Sequence, residues 1–313
     1  MAHYTRLTQQ DVEAISAEFA IKNLSSFEVL SGGSENTNYI LRAGQGNYVL
    51  TICEQKTEKK AKELARLLEH LENHHFSTSR LILNADNEPL SLWKGKPIMM
   101  KKFVKGKILN HLPHHLLELT GRELGILHKI EAPEYLPLQL NYGKEQFTDV
   151  EKYAANSDFA TWLKEKLEYV TPYFSENLPR AFIHSDVFTD NVLVSEDEDA
   201  VMIVDFEEAA WYYRIFDLGM CIIGTCAEEK AVNPQKVRSL LKGYGQEIRL
   251  LEAELKALQA FTVYAGAAMT FWRHRNFNFT RPDPKLSDHY LGLKILTDFV
   301  QQQRVDFFPG TAI

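Results

Sequence analysis

Apolar residues alternate with polar ones in the first third of the chain, which predicts short strands separated by turns. Three segments rich in β-branched and aromatic residues carry this pattern: FEVL, NYILRA and YVLTIC, at residues 27–30, 38–43 and 48–53. SGGSENT and GQGN are the predicted turns between them, and further strands are predicted within residues 80–104. Helices are predicted at residues 57–74, where leucines recur at helical spacing, and near the start, where Thr8 and Asp11 have capping-box spacing.

The remainder of the chain has mainly helical periodicity. Five long stretches carry it, at residues 114–130, 158–170, 234–246, 251–275 and 288–303. Short apolar runs within residues 182–194 and 200–206 predict strands among these helices. We therefore predict an α+β chain with a protein-kinase-like, two-lobed fold. Residues 1–103 form a small antiparallel β-rich lobe, and residues 104–313 form a larger, mainly helical lobe.

The composition is that of an ordinary globular protein. Of 313 residues, 45% are hydrophobic and 25% are charged, and the net charge of −7 gives no basic stripe for nucleic acid. No apolar run approaches the roughly 18 residues of a membrane span, and the N-terminus lacks a signal-peptide pattern. Three cysteines do not make a disulfide framework. We predict a cytoplasmic protein without nucleic-acid or membrane partners, whose oligomeric state the sequence leaves open.

Polar residues that carry chemistry concentrate in two neighbouring apolar segments, FIHSDVFTDNVLV and IVDFEEA. Asp186 and Asn191 lie on the loop within the first segment, and Asp205 ends the apolar run of the second. If VLV and VMIV pair as a hairpin, Asn191 and Asp205 come close together. Burying a carboxylate without a partner is costly, so these three side chains indicate a functional site, whereas the acidic turn at residues 196–199 is interpreted as solvated.

The spacing in these segments matches that of kinase catalytic loops. Protein kinases carry His-Arg-Asp-x-x-x-x-Asn followed by Asp-Phe-Gly. This chain has His-Ser-Asp at residues 184–186, Asn191 at the same spacing, and Asp-Phe-Glu at residues 205–207. In kinase-type phosphoryl transfer the protein aligns a hydroxyl with the γ-phosphate and neutralises charge with a metal ion.

Each residue of this set has a predicted role. Amide and carboxylate oxygens suit Mg²⁺, which takes further ligands from water and phosphates, so Asn191 and Asp205 are the predicted metal ligands. Asp186 is then left to accept a proton from the substrate hydroxyl. His184 is predicted to brace the loop through hydrogen bonds.

Three segments together carry a family resemblance that spans nearly the whole chain. They are HSDVFTDNVLV…IVDFEEAAWYYRIFDLGMC, GGSENTNYIL…YVLTIC and TFWRHRNFNFTRPDPKLSDHY. The chain resembles the aminoglycoside phosphotransferase and choline kinase superfamily, which shares the protein-kinase fold, and most closely its homoserine kinase branch. The resemblance implies an ATP-dependent kinase that uses Mg²⁺ and phosphorylates a hydroxyl of a small molecule. It assigns Asp186 as the catalytic base and Asp217 as the support of the catalytic loop.

The resemblance also implies contacts with the nucleotide in the N-terminal lobe. The loop that ends at Asn38 would cover the phosphates, because main-chain N–H groups in such turns favour anions. The segment MMKKFV, residues 99–104, would offer main-chain groups to adenine. The predicted nucleotide-binding residues are Ser31, Gly32, Gly33, Ser34, Asn36, Asn38, Lys101 and Phe103.

One position departs from the protein-kinase pattern. Protein kinases carry a lysine on the third strand, paired to a helix glutamate, but YVLTIC has Thr51 there. Lys56 or Arg42 is then expected to reach the phosphates. The same departure keeps a non-enzymatic alternative open, a pseudokinase-like module that binds nucleotide without turnover.

Residues that bind the acceptor are predicted in the helical lobe. The segment FWRHRNFNF is dense in aromatic and basic side chains. Arg273 or Arg275 can hold an acceptor carboxylate in a bidentate fork, which suits an amino acid such as homoserine, and Glu207 and Glu208 can take its amino group. The predicted acceptor set is Glu207, Trp211, Trp272, Arg273 and Arg275.

The identity of the acceptor has alternatives. The aromatic sequence AAWYYRIFD, residues 209–217, can form a wall that attracts a quaternary ammonium group, which keeps choline and ethanolamine as candidates. An aminoglycoside would need a wide acidic cleft, which a net charge of −7 permits. We expect homoserine or a similar amino alcohol, with choline/ethanolamine kinase and aminoglycoside phosphotransferase as the alternative activities.

Overall fold

The chain divides between Lys105 and Gly106 into two units, Met1–Lys105 and Gly106–Ile313. The computed structural model describes residues 5–30, 36–304 and 307–308. Within these ranges, none of the helices combines the length and the apolar character that a membrane crossing requires.

An antiparallel sheet and two helices build the N-terminal unit. Helix α1 (Gln9–Glu18) begins after Thr8, whose hydroxyl accepts the Asp11 N–H while the Asp11 carboxylate accepts the Thr8 N–H. The predicted capping box is therefore confirmed. The strands are β1 (Leu24–Val29), β2 (Asn36–Ala43), β3 (Gly46–Cys53), β4 (Leu81–Ile82), β5 (Ser91–Trp93) and β6 (Lys96–Lys102), with α2 (Glu58–Asn73) between β3 and β4. Their order is β1-β2-β3-β6-β4, and β5 pairs with β6.

One face of this sheet is closed by its own core. Alternate residues of β2 and β3 point to this face, as the period of a strand requires, and they pack with Val12 and Ile15 of α1. The buried strand residues in this cluster are Tyr39, Leu41, Leu50, Ile52, Ile98 and Met100. On the opposite face of these strands, Asn38, Ile40 and Val49 are half-buried, whereas Thr51 is buried.

Helices dominate the C-terminal unit. They are α3 (His114–Leu127), α4 (Glu151–Ala154), α5 (Asp158–Val170), α6 (Arg214–Thr225), α7 (Pro234–Glu247), α8 (Glu252–Arg275) and α9 (Tyr290–Gln302). Helix α8 is buried almost throughout residues 257–271, as expected of a helix that is apolar on all sides. Helices α3 and α7 approach closely at glycines, since a Cβ on Gly243 would lie 1.8 Å from the Glu118 carbonyl oxygen.

Short strands in the same unit position its loops. They are β7 (Lys107–Ile108), β8 (Arg180–Ile183), β9 (Val192–Val194), β10 (Val201–Ile203), β11 (Ala210–Tyr213), β12 (Ala227–Glu228) and β13 (Ala231–Val232). Strand β9 pairs with β10 and with β7, β8 pairs with β11, and β12 pairs with β13. The β9–β10 hairpin was predicted, whereas β7, β11 and β12–β13 were not. The antiparallel sheet and the helical remainder confirm the predicted α+β class.

Candidate active site

One buried carboxylate, Asp217 of α6, holds the loop that follows β8. It accepts the main-chain N–H groups of His184 at 2.8 Å and Ser185 at 2.6 Å. The Nε2–H of His128 donates to the same carboxylate at 3.0 Å. A buried carboxylate is stable only when such donors surround it, so this arrangement fixes the start of the loop.

Ser185 has a left-handed backbone conformation, with φ of +69°. This conformation is unfavourable for a residue with a side chain and persists where the surroundings enforce it. Here the Ser185 hydroxyl donates to the Glu208 carbonyl at 2.6 Å, and the Tyr142 hydroxyl donates to the Ser185 carbonyl at 2.8 Å. Burial raises the pKa of the Tyr142 phenol well above its ordinary value, with Asp186 contributing, so Tyr142 remains a donor.

His184 is fully buried and braces the loop with both ring nitrogens. Its Nε2–H donates to the Val204 carbonyl at 2.9 Å, and its Nδ1 accepts the Asp186 N–H at 3.2 Å. Burial lowers the pKa of His184, so the ring is neutral and its tautomer is set by these partners. These bonds connect the Asp186 loop to the segment that leads to Asp205.

The side-chain amide of Asn191 is hydrogen-bonded to Asp186. Its Nδ2 donates to the Asp186 carbonyl at 2.8 Å and to the Asp186 carboxylate at 3.2 Å. The main-chain carbonyl of Asn191 accepts the main-chain N–H of Val204 at 3.0 Å, at the end of the β9–β10 hairpin. Asp205 follows directly, exposed and with φ of +69°. The predicted hairpin is present, and it places the main chain of Asn191 beside Val204, the residue before Asp205.

Asp186 lies in a strongly negative environment. Burial raises the pKa of its carboxyl well above the usual range, and the charges of Asp205, Asp190 and Glu208 raise it further. The guanidinium of Arg273 acts in the opposite direction. Because a carboxylate with a raised pKa is a better proton acceptor, this environment suits a general base. It also attracts cations to the same place.

The two predicted carboxylate-binding arginines have different surroundings. Arg273 lies with its guanidinium 5.4 Å from the centre of the Phe188 ring, and its Nη1 donates to His289 Nε2 at 3.4 Å. Its charge interacts with both Asp186 and Asp190. Arg275 instead donates to the Asn141 carbonyl at 3.0 Å. Of the two, Arg273 is the one in the electrostatic neighbourhood of Asp186.

The aromatic sequence after Asp205 does not form one exposed wall. Tyr212 is 2% exposed and packs edge-on against Phe216 in the core. Trp211 is 38% exposed on β11, with the Arg180 guanidinium 5.1 Å from its ring centre. The predicted wall is therefore wrong for Tyr212, and an arginine already covers the ring of Trp211.

The remaining predicted acceptor residues flank the same loops. Trp272 is half-buried and packs edge-on against Phe277, with 5.8 Å between ring centres. Glu207 is half-buried in the short 3₁₀ turn Phe206–Glu208. Glu208 accepts from Asn141 Nδ2 at 3.4 Å, and its charge raises the pKa of Asp186.

The predicted nucleotide-binding residues fall in the N-terminal unit. Asn36 and Asn38 lie on β2, Lys101 lies on β6, and Phe103 directly follows β6. The other members, Ser31, Gly32, Gly33 and Ser34, lie outside the described residues.

Arg42, one of the two cations proposed to replace the kinase lysine, is held in an ion pair. It lies on β2 and pairs with Glu28 on the neighbouring strand β1, at 2.5 Å. Thr51 itself is buried and donates to Asn38 Oδ1 at 2.8 Å.

Sequence reasoning missed the supporting side chains. Tyr142 donates to Ser185 of the loop, and His128 donates to Asp217, which holds the loop; both partners are distant in the chain. His289 meets Arg273 across 16 residues. A lone tyrosine or histidine in an apolar helix or loop carries no local signal of such a contact. Only the fold brings these residues to the site.

Three comparisons identify what this arrangement is similar to. Residues 26–282 match the phosphotransferase enzyme family. A homoserine kinase of Paramagnetospirillum magneticum is 30% identical over 298 residues, which cover 91% of this chain and 90% of the relative. A microcompartment-associated aminopropanol kinase superposes with a TM-score of 0.71 at 15% identity, covering 93% of this chain and 97% of that one.

A third relative is an amicoumacin kinase solved with AMP-PNP and Ca²⁺. It superposes with a TM-score of 0.71 at 16% identity, and the superposition covers 97% of this chain and 96% of the kinase chain. The structural likenesses confirm the predicted fold. The family match and the homoserine kinase relative confirm the predicted resemblance and a small-molecule substrate, and they imply the use of ATP. The chain belongs to the phosphotransferase enzyme family and is a small-molecule kinase that phosphorylates an alcohol group.

Proposed function

We propose that this protein transfers the γ-phosphate of ATP to the side-chain hydroxyl of homoserine or a closely similar amino alcohol. The pairing of Asp186 with Asn191 at kinase spacing supports this reaction most directly, because it provides a held base beside an amide oxygen. Homoserine kinase activity belongs to the relative that is 30% identical over most of both chains. That likeness supports homoserine as the acceptor.

Asp186 is the proposed catalytic base. Asn191 Nδ2 donates to Asp186 Oδ2, which leaves Oδ1 to accept the proton of the acceptor hydroxyl. Burial, with a smaller contribution from neighbouring carboxylates, raises the pKa of Asp186, so it holds that proton more readily than a surface aspartate does. His184 and Asp217 support the loop, as their hydrogen bonds to it indicate.

Asn191 and Asp205 are the proposed Mg²⁺ ligands. The oxygen ligands of these two residues fit the ion. Asn191 Nδ2 donates to Asp186, which leaves Asn191 Oδ1 to face a cation. Among the residues that the structure describes, no group of three His, Cys, Asp or Glu side chains could hold a metal alone. This suits Mg²⁺, which takes further ligands from phosphates and water. When bound, the ion supplies charge neutralisation for the transferred phosphoryl group.

The N-terminal unit is the proposed nucleotide-binding lobe, with residues 31–38, Lys101 and Phe103 contacting ATP. The C-terminal unit then provides the catalytic and acceptor-binding residues. The three cysteines are buried free thiols, which suits a reducing compartment, so we propose the cytoplasm as the location.

Arg273 is the proposed ligand of the acceptor carboxylate, and Glu208, with Glu207, the proposed partner of its amino group. The Arg273 guanidinium, close enough to Asp186 and Asp190 to interact with their charges, can pair with a carboxylate, which homoserine has and choline lacks. Arg275, Trp272 and Trp211 remain candidates for the outer wall of this site. Choline/ethanolamine kinase and aminoglycoside phosphotransferase activities are the alternatives that Arg273 argues against.

An acceptor panel tests the proposal. ADP formation is measured with ATP and Mg²⁺ against L-homoserine, 3-aminopropan-1-ol, ethanolamine, choline, hydroxylysine and an aminoglycoside. We expect the highest kcat/KM on L-homoserine. A higher value on choline or an aminoglycoside would replace the proposed acceptor. Tight ATP binding without turnover on any of these acceptors would favour a nucleotide-binding module instead.

A further inference from the structure

The threonine that stands at the lysine position of protein kinases is bonded to the adjacent strand. Thr51 is 1% exposed, and its hydroxyl donates to Asn38 Oδ1 at 2.8 Å. The two residues are direct partners in the β2–β3 ladder, so their side chains lie on the same face of the sheet. Because the Thr51 hydroxyl donates to the carboxamide oxygen of Asn38, the Nδ2–H₂ group of the same carboxamide points away from Thr51.

The Nδ2 donor of Asn38 has no hydrogen-bond acceptor among the residues that the structure describes. Asn38 as a whole is half-buried. A carboxamide whose oxygen is held by a buried hydroxyl is restricted in rotation. It therefore presents two N–H donors in a fixed direction, which is the property that a phosphate ligand needs.

The same face of the sheet has a half-open apolar strip beside this donor. Ile40 and Val49 are cross-strand partners and are both half-buried, although the opposite face of the two strands is closed by the core. Ile40 lies two residues along β2 from Asn38, or about 6.6 Å. Asn38 is therefore close enough to contact the phosphates of a nucleotide whose base packs on Ile40 and Val49.

Arg42 is poorly placed to supply charge at this position. It lies four residues along β2 from Asn38, beyond Ile40, and pairs with Glu28 at 2.5 Å. Glu63 of α2, a candidate partner for a kinase lysine, pairs instead with Lys60 at 3.2 Å. The lysine–glutamate pair of protein kinases is thus replaced here by a neutral hydroxyl–carboxamide pair.

We propose that Asn38, held in orientation by Thr51, donates through Nδ2 to a phosphate oxygen of the bound nucleotide and takes the place of the third-strand lysine. The inference rests on the proposed kinase function. Asn38 is the direct ligand, and Thr51 is a positioning residue that acts through it. A neutral donor to an anion forms a charge-assisted hydrogen bond without adding a positive charge.

Binding of ADP, AMP and adenosine to the full-length protein, measured by isothermal titration calorimetry with Mg²⁺ present, tests this inference. The variants are Asn38→Ala, Thr51→Val, Thr51→Ser and the double variant Asn38→Ala/Thr51→Val. Asn73→Ala, at the exposed end of α2, is the matched control. Melting temperatures are recorded for every variant, because Thr51→Val and Asn38→Ala each remove half of a buried pair.

Asn38→Ala is expected to weaken ADP binding about tenfold or more, as loss of a hydrogen bond to a charged group implies, and to leave adenosine binding unchanged. Thr51→Val is expected to weaken ADP binding by a smaller factor, and Thr51→Ser to restore it. The double variant should bind ADP as Asn38→Ala does, because Thr51 acts only through Asn38. Asn73→Ala should match the wild type.

Equal weakening of ADP and adenosine by Asn38→Ala would overturn the inference, since the pair would then only support the sheet. Unchanged ADP affinity in both single variants would overturn it as well. In either case the wild type can still phosphorylate its acceptor, which leaves the proposed function standing. A wild-type protein that binds neither ADP nor ATP would overturn both.

Discussion

Asn191 donates two hydrogen bonds to Asp186, one to its main-chain oxygen at 2.8 Å and one to its carboxylate at 3.2 Å. In the proposed mechanism, the same side chain holds the base in position and offers its oxygen to a metal ion. Loss of this amide should therefore affect catalysis in two ways at once. Neither effect requires a change in the acceptor site around Arg273.

We expect Asn191→Ala to lower kcat about 100-fold or more, because small displacements of a catalytic group have effects of that size. The Mg²⁺ concentration that gives half-maximal rate should rise as well. Steady-state kinetics over a range of Mg²⁺ concentrations measure both quantities, with Asn177→Ala in an exposed turn as the control. A rate within a few-fold of the wild type would contradict the dual role.

Arg273 should discriminate between acceptors with and without a carboxylate. L-homoserine and 3-aminopropan-1-ol differ only in the carboxylate. The ratio of their kcat/KM values therefore measures the contribution of the proposed contact between Arg273 and that carboxylate. We expect Arg273→Gln to lower kcat/KM for homoserine about tenfold or more, as loss of a charge-assisted hydrogen bond implies, and to spare 3-aminopropan-1-ol. Arg275→Gln, whose residue donates to the Asn141 carbonyl, should leave the ratio unchanged.

Equal losses on both acceptors in Arg273→Gln would show that the guanidinium tunes Asp186 and does not bind a carboxylate. A shift of the ratio in Arg275→Gln instead would transfer the proposed role to that residue.

The buried contact between His128 and Asp217 should support the catalytic loop from below. Replacing His128 by Leu removes one donor to a fully buried carboxylate, which we expect to cost about 2 kcal/mol of unfolding free energy. We also expect kcat to fall while the KM for ATP changes little. His128→Gln, which keeps a donor, should recover part of both losses. Urea denaturation and steady-state kinetics measure the two effects, and a destabilised variant with a normal kcat would contradict the coupling.

His274 should make the folded state sensitive to acid. It stacks on Phe159 with 3.7 Å between ring centres, and burial lowers its pKa from 6.5 to about 4. Above pH 6.5 the imidazole is neutral in both folded and unfolded chains. Between pH 6.5 and about 4 the unfolded chain binds a proton that the folded chain excludes, so stability falls as the pH falls. Below about pH 4 the loss levels off.

We expect His274→Phe to remove this component, which amounts to at most about 3 kcal/mol. Unfolding free energies of the wild type and the variant at pH 7 and pH 4.5 measure it, and other titrating groups cancel in the difference. The variant should lose less stability than the wild type on acidification. Parallel losses would mean that the imidazole titrates normally in the folded protein.

The fold and the catalytic segment were predictable because their signals are local. Helix α5 spans the predicted residues 158–170, and the capping box at Thr8 was confirmed. The spacing of Asp186 and Asn191 identified the loop, since one short segment carries both residues. Some of the strands of two to four residues, β7 and β11 among them, were missed because so few residues show no period.

Contacts between distant parts of the chain were not predictable in the same way. Tyr142 meets Ser185 and His128 meets Asp217 only after the helices have packed, and neither residue stands in a recognisable motif. The aromatic run at residues 211–213 shows the opposite error, because three adjacent rings on a strand point alternately to the core and to solvent. Tyr212 is consequently buried, and the predicted wall does not form.

Phosphorus NMR of the reaction with L-homoserine, ATP and Mg²⁺ tests the central claim most directly. The wild type should convert the γ-phosphate signal into a phosphomonoester, with ADP formed in equal amount. Asp186→Asn should bind ATP nearly as well and form no phosphomonoester above background. Substantial phosphomonoester from Asp186→Asn would contradict its role as the base, and none from the wild type would contradict homoserine as the acceptor.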